Sequence, residues 1–227
     1  MTLAEQQWLT SYGLKFMAGA TSVAAPGGLA HDGPVGIKIK NPGLNSQMCF
    51  PSPVNMASTW NLELIEEIGN AFGLEILHAG YTVIYAPGAN IHRTAYAGRN
   101  WEYFSEDGFL SGKMLSTEVK GLQSRGVIVI TKHFALNDQE TNRYGVTTWT
   151  NEQTIREAYL NAFEIAITES KMNGVMSSFN RLGCTWAGAH KGLLTNVLRG
   201  EWNFMGIVES DACAGGVDML TLILVLI

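Results

Sequence analysis

Four short apolar runs limit what this chain can fold into. They are Thr82-Val83-Ile84-Tyr85-Ala86, Val127-Ile128-Val129-Ile130-Thr131, Gly174-Val175-Met176-Ser177-Ser178 and Gly206-Ile207-Val208-Glu209-Ser210. Short, continuous and partly β-branched, they read as buried strands. Each of the first three is followed by a stretch of helical spacing, at Leu110 to Ser124, Asn151 to Lys171 and His190 to Trp202. Within the second stretch, Ile155, Ala158, Tyr159, Ala162, Phe163, Ala166 and Ile167 form one apolar face, and Thr150 or Asn151 can cap it. An earlier helix, Leu62 to His78, carries Ile65, Ile68, Phe72 and Ile76 on one side. Strands alternating with helices predict an α/β fold with a parallel sheet. Long polar loops after the strands favour a (β/α)8 TIM-barrel-like domain with its site at the strands' C-terminal ends. The Gly- and Pro-rich region from Ala18 to Asn45 reads as loop with one short strand at Val35 to Ile39.

The bulk properties narrow the function classes. With 227 residues, 46% of them hydrophobic, the chain can bury the core of one domain spanning 1–227. A net charge of −5 without a Lys/Arg cluster excludes a nucleic-acid binder that works by neutralising phosphates. No run approaches the roughly 20 apolar residues of a membrane span. The N-terminus lacks a basic segment followed by an apolar one, and Cys49, Cys184 and Cys213 are an odd, widely spaced set, so a reducing cytoplasmic setting is expected. Glycine-rich nucleotide motifs and metal-ligand spacings are missing, so no cofactor and no metal are expected. The apolar run Leu220 to Ile227 reads as a last buried strand or as a non-native end.

All four strands end in polar groups. Asn90-Ile91-His92-Arg93 and Gly98-Arg99-Asn100-Trp101-Glu102-Tyr103-Phe104-Ser105-Glu106-Asp107 follow the first, Lys132 and His133 the second, Asn180 and Arg181 the third, and Asp211 the fourth. Buried polar groups are costly unless paired or used. A cleft lined by cations, an aspartate and aromatic rings suits a neutral polyhydroxylated ligand, whose hydroxyls take charged hydrogen bonds and whose apolar faces stack on rings. Plainer roles compete. Glu140 and Arg143, three apart, can be an ion pair. Glu102, Glu106 and Asp107 can brace their loop, His92 and Arg93 can be structural, and an Asp after a strand is often a helix cap.

The segments HDGPVG, APGANIHRTAYAGRNWEYFSED, KHFALNDQETNR, VMSSFNR and GIVESD occur in this order between Met1 and Asp218. Together they resemble the signature of glycoside hydrolase family 3, most closely its β-glucosidase branch. The resemblance implies retaining hydrolysis of terminal non-reducing β-D-glucosyl residues, with Asp211 as the nucleophile. Asp32, Arg99, Lys132 and His133 then match sugar-hydroxyl ligands, and Arg143 a basic position beside them. Phe179 stands near the nucleophile where many relatives have Tyr, and Ala212 where they have Trp or Tyr. In the β-glucosidase branch the acid/base Glu lies in a second α/β domain. The expectation is therefore a barrel incomplete at its C-terminus, with that sandwich domain and the acid/base absent. A β-xylosidase of the same family and a non-catalytic sugar-binding fragment are the alternatives. The expected partner is a β-glucoside or oligosaccharide, not nucleic acid or membrane. A homo-oligomer covering the open side is left open.

Overall fold

A computed structural model describes residues 1–6, 16–17, 19–37 and 48–212. Its centre is a six-stranded sheet. Strand β1 (Phe16–Met17) runs antiparallel to β2 (Gly28–Asp32). From β2 onward every pairing in this sheet is parallel, through β3 (Val83–Tyr85), β4 (Ile128–Phe134), β6 (Gly174–Ser177) and β9 (Ile207–Ser210). A small second sheet joins β5 (Thr147–Thr148), β7 (Arg181–Leu182) and β8 (Thr185–Trp186) above these strand ends.

The expected strands and helices are present, with two differences. The first parallel strand is Gly28–Asp32, inside the region read as loop. Its sequence, GLAHD, has no β-branched residue, and pairing with β3 makes it a strand. The strand expected at Val35 to Ile39 is not found at residues 35–37, and 38–39 lie outside the described residues. The second difference concerns winding. The helix expected from Asn151 to Lys171 is α at Glu152–Thr154 and Asn161–Ser170 but π at Ile155–Leu160, and Gly192–Glu201 is also π. Cys213, Asp218 and the apolar tail lie outside the described residues.

Alternation along the strands sorts the core into two layers. Val83, Tyr85, Ile130, Met176 and Ala30 fill the concave side of the sheet. Ile84, Val129 and Val175 face outward and pack with Ile65, Phe72, Leu115, Val119, Phe163 and Ala166 from the helices. Asn61 caps the Leu62–His78 helix by accepting from Leu64 N, and Asp107 caps Gly108–Gln123 through Leu110 N. Asn151 is the cap of the next helix, through Thr154 N at 2.8 Å. This open, barrel-like arrangement brings the ends of β2, β4 and β9 to one mouth.

Candidate active site

Adjacent residues on a regular strand point to opposite faces. Lys132 and His133 are adjacent, yet both side chains lie in the mouth. The cause is a register slip between β4 and β6: Thr131 pairs with Val175 but Phe134 with Ser177, so β4 carries one extra residue. Such a bulge re-aims side chains. The irregular backbone is hydrogen-bonded on every side. Ala89 N donates to Lys132 O, Lys132 N to Pro87 O, and the Asn90 amide clamps both His133 N and His133 O at 2.9 Å. Ser178 Oγ and Asn180 Nδ2 both donate to Ala135 O. Gly88 lies beside this segment because a Cβ there would sit 2.6 Å from the Tyr103 ring.

The cations and carboxylates form one network. Lys132 Nζ, on a side chain only 3% exposed, bridges Asp32 Oδ1 at 2.5 Å and Glu102 Oε1 at 2.9 Å. Arg99 forks onto Glu102 at 2.7 and 2.8 Å. Burial alone would raise the Glu102 pKa, but Lys132 and Arg99 beside it bring it below the usual carboxylate range. Glu140 accepts from Arg143 at 2.8 Å and stands 3.8 Å from Arg99. The Arg143 guanidinium lies 4.6 Å from the centre of the Phe179 ring. Phe179 itself is buried, so it meets the site through Arg143. The Asp32 side chain is 70% exposed and its outer edge opens to the mouth.

Asp211 is placed differently. Its backbone N continues the β9 pairing by donating to Ser177 O, and its Oδ1 accepts from Ala212 N. Oδ2 is buried, has no hydrogen-bond partner among the described residues, and stands 3.5 Å from His133 Nε2. Burial raises its pKa, outweighing Ala212 N–H, Arg99, Lys132 and Arg143, which favour the carboxylate. The cations favour the ionised form, but desolvation is the larger effect. His133 is buried among Arg99, Lys132 and Arg143, and its pKa lies well below the usual imidazole value. It is therefore neutral.

All of Asp32, Arg99, Lys132, His133, Arg143 and Asp211 thus belong to one connected site, with Phe179 behind Arg143. Tyr103, Asn137, Asn90, Tyr85 and Glu209 also belong to it and were not singled out. A signal for Glu209 existed. It is two residues before Asp211, so period-two alternation puts both on the concave face, where Glu209 accepts from Tyr85 Oη at 3.2 Å. Glu102 is more than a loop brace, since it holds both Arg99 and Lys132. Arg93 Nε lies 3.6 Å from buried Asp138. Groups of three or more metal-ligating side chains are absent among the described residues.

Comparison with known proteins identifies the family. The profile described as the glycosyl hydrolase family 3 N terminal domain matches residues 39–222. The chain belongs to glycosyl hydrolase family 3. It is 38% identical over 221 residues to thermostable beta-glucosidase B of Acetivibrio thermocellus, covering 93% of this chain and 29% of that protein. It is equally 38% identical over 221 residues to an exo-alpha-(1->6)-L-arabinopyranosidase of Bifidobacterium breve, with the same coverage. Among solved structures, beta-glucosidase 3B from Thermotoga neapolitana in complex with glucose superposes with a TM-score of 0.82 at 44% identity, covering 88% of this chain and 29% of that one. The chain therefore spans less than a third of the length of these relatives. Its open parallel sheet is the barrel-like N-terminal domain of the family. Among the described residues, no helix is long and apolar enough to cross a membrane.

Proposed function

We propose that the site performs retaining hydrolysis of terminal β-D-glucosyl residues, with Asp211 attacking the anomeric carbon to form a glycosyl-enzyme. The observation that carries this reading is the Asp211 carboxyl. Its Oδ2 is buried and has no hydrogen bond among the described residues, at a point where cations surround it without engaging it. An unengaged carboxylate on a rigid strand end is poised for nucleophilic attack. Asp32, Lys132, Arg99, Arg143 and His133 are proposed to take the sugar's hydroxyls.

A retaining mechanism needs a second carboxyl as acid/base, about 5 Å from the first. Glu102 is held ionised by two cations, Glu140 is paired with Arg143, and Asp32 with Lys132. All three are engaged by cations, and Glu209 is engaged by Tyr85 Oη, so the acid is proposed to come from outside this network. Domain organisation follows the same reading: the chain is one N-terminal barrel domain, and a further segment or a partner chain supplies the acid.

The test uses a 2-deoxy-2-fluoro-β-glucoside with a dinitrophenolate leaving group, which departs without acid help. The expected result is an intact-mass gain of one fluoroglucosyl unit, mapped by peptide mass to Asp211. Absence of label from folded protein that still binds glucose would leave a sugar-binding domain. Faster labelling by the fluoroxyloside or a fluoro-arabinopyranoside would move the specificity to a pentose, as the named activity of the Bifidobacterium relative suggests.

A further inference from the structure

Neutral His133 can carry its single proton on either ring nitrogen, and the two forms offer the mouth opposite hydrogen-bonding groups. The surrounding atoms choose between them. Glu140 is an acceptor only. Asn137 lies 3.0 Å from Glu140 Oε1 and 3.1 Å from Tyr103 Oη, and in both contacts the atom is Nδ2. Turning the amide over would place its oxygen against the carboxylate, so the NH2 group must face Glu140 and Tyr103. Tyr103 Oη thereby accepts from Asn137, and its own hydrogen is directed to its remaining partner, His133 Nδ1 at 3.0 Å. The opposite tautomer would make Tyr103 accept twice and leave its hydrogen without an acceptor among the described residues. Tyr103 is 1% exposed, so that loss would be costly. Burial also keeps the phenol protonated, because its pKa is raised.

We infer that Asn137 and Tyr103 are positioning residues that set the His133 tautomer, placing its proton on Nε2 toward Asp211 and the sugar. The chain of hydrogen bonds is anchored at the acceptor Glu140, which the two arginines orient. Its consequence for catalysis rests on the function proposed above. With a proton on Nε2, His133 presents a donor to a sugar hydroxyl and faces Asp211 Oδ2, 3.5 Å away, with its positive edge. With the proton on Nδ1, it would present a lone pair to a carboxylate.

The experiment is nitrogen NMR of the full chain labelled with 15N-histidine, with His133 assigned by its loss in His133→Gln. The expected spectrum is a neutral ring protonated at Nε2 with a hydrogen-bonded, bare Nδ1. Tyr103→Phe removes the donor and should give a mixture of tautomers. Asn137→Leu removes the donor to Tyr103 Oη, which can then accept from His133, and the Nδ1-protonated form should gain population. A wild-type ring protonated at Nδ1, an imidazolium, or no tautomer change in either variant would overturn the inference. If one variant fails to fold, the other still reports. In folded variants, losing the donor disfavours the Asp211 carboxylate, so the acid limb of fluoroglucoside labelling should move up by about one pH unit, or about tenfold at its foot. Failure to label any protein would strike the proposed function while leaving the tautomer reading intact.

Discussion

The two sides of the mouth handle buried charge in opposite ways. At the end of β4, buried Lys132 and Glu102 and half-buried Arg99 are paired, with hydrogen bonds of 2.7 to 2.9 Å. At the end of β9, Asp211 and Glu209 are half-buried with few partners, and both carboxyls have raised pKa values, Glu209 to about 7. Burial is the largest cause on the β9 side, whereas on the β4 side the opposite charges overcome it. Paired groups hold position and are suited to gripping hydroxyls. An unpaired carboxylate keeps its lone pairs free for chemistry, at a cost the rest of the fold must offset.

The comparison can be broken at its reactive end first. Asp211→Asn should slow fluoroglucoside labelling by at least about 10³-fold while the protein stays folded. Labelling at the wild-type rate would mean that the unpaired oxygen is not the nucleophile. The paired side makes the opposite demand. Lys132→Met leaves Asp32 without its partner and Glu102 with one cation, so it should cost roughly 3 kcal/mol of stability as well as sugar affinity. Chemical denaturation would show it, and an unchanged midpoint would contradict the buried network.

A third experiment sharpens the difference in protonation. Glu209 is ordinarily ionised above about 4.5 when unfolded but holds its proton to about 7 when folded. Its contribution is full below the unfolded value and is lost as pH rises through the folded one. Wild type should therefore lose stability between about pH 4.5 and 7, and Glu209→Gln should remove about 1–3 kcal/mol of that slope. Parallel curves for the two proteins would show that Glu209 is not held neutral. The smallest effect is expected at Phe179→Leu, which takes the ring from beneath Arg143. About 1 kcal/mol, or roughly fivefold in glucose affinity, is expected by titration calorimetry. No change would detach Phe179 from the site.

Much of this was legible in the residues. The β-branched run from Val127 to Thr131 and the apolar face from Ile155 to Ile167 report their elements directly, because burial of one face imposes a period. GLAHD at Gly28–Asp32 lacks that signal, since its strand character comes from β3. The Glu140–Arg143 pair was readable from its spacing. The Glu102 bridge was not, because Lys132 is thirty residues away in sequence and meets Glu102 only across the mouth.

The alternation of strand and helix, the family, and the chemical groups at the strand ends are all written in the residues. Tertiary structure decided how those groups behave. The β4 bulge turns both Lys132 and His133 into the mouth, desolvation outweighs the neighbouring cations in its effect on the Asp211 pKa, and the Asn137–Tyr103 pair selects one nitrogen of His133. The physical reason is that pKa values and proton positions depend on desolvation and on partners distant in sequence, and neither exists until the chain has closed around them.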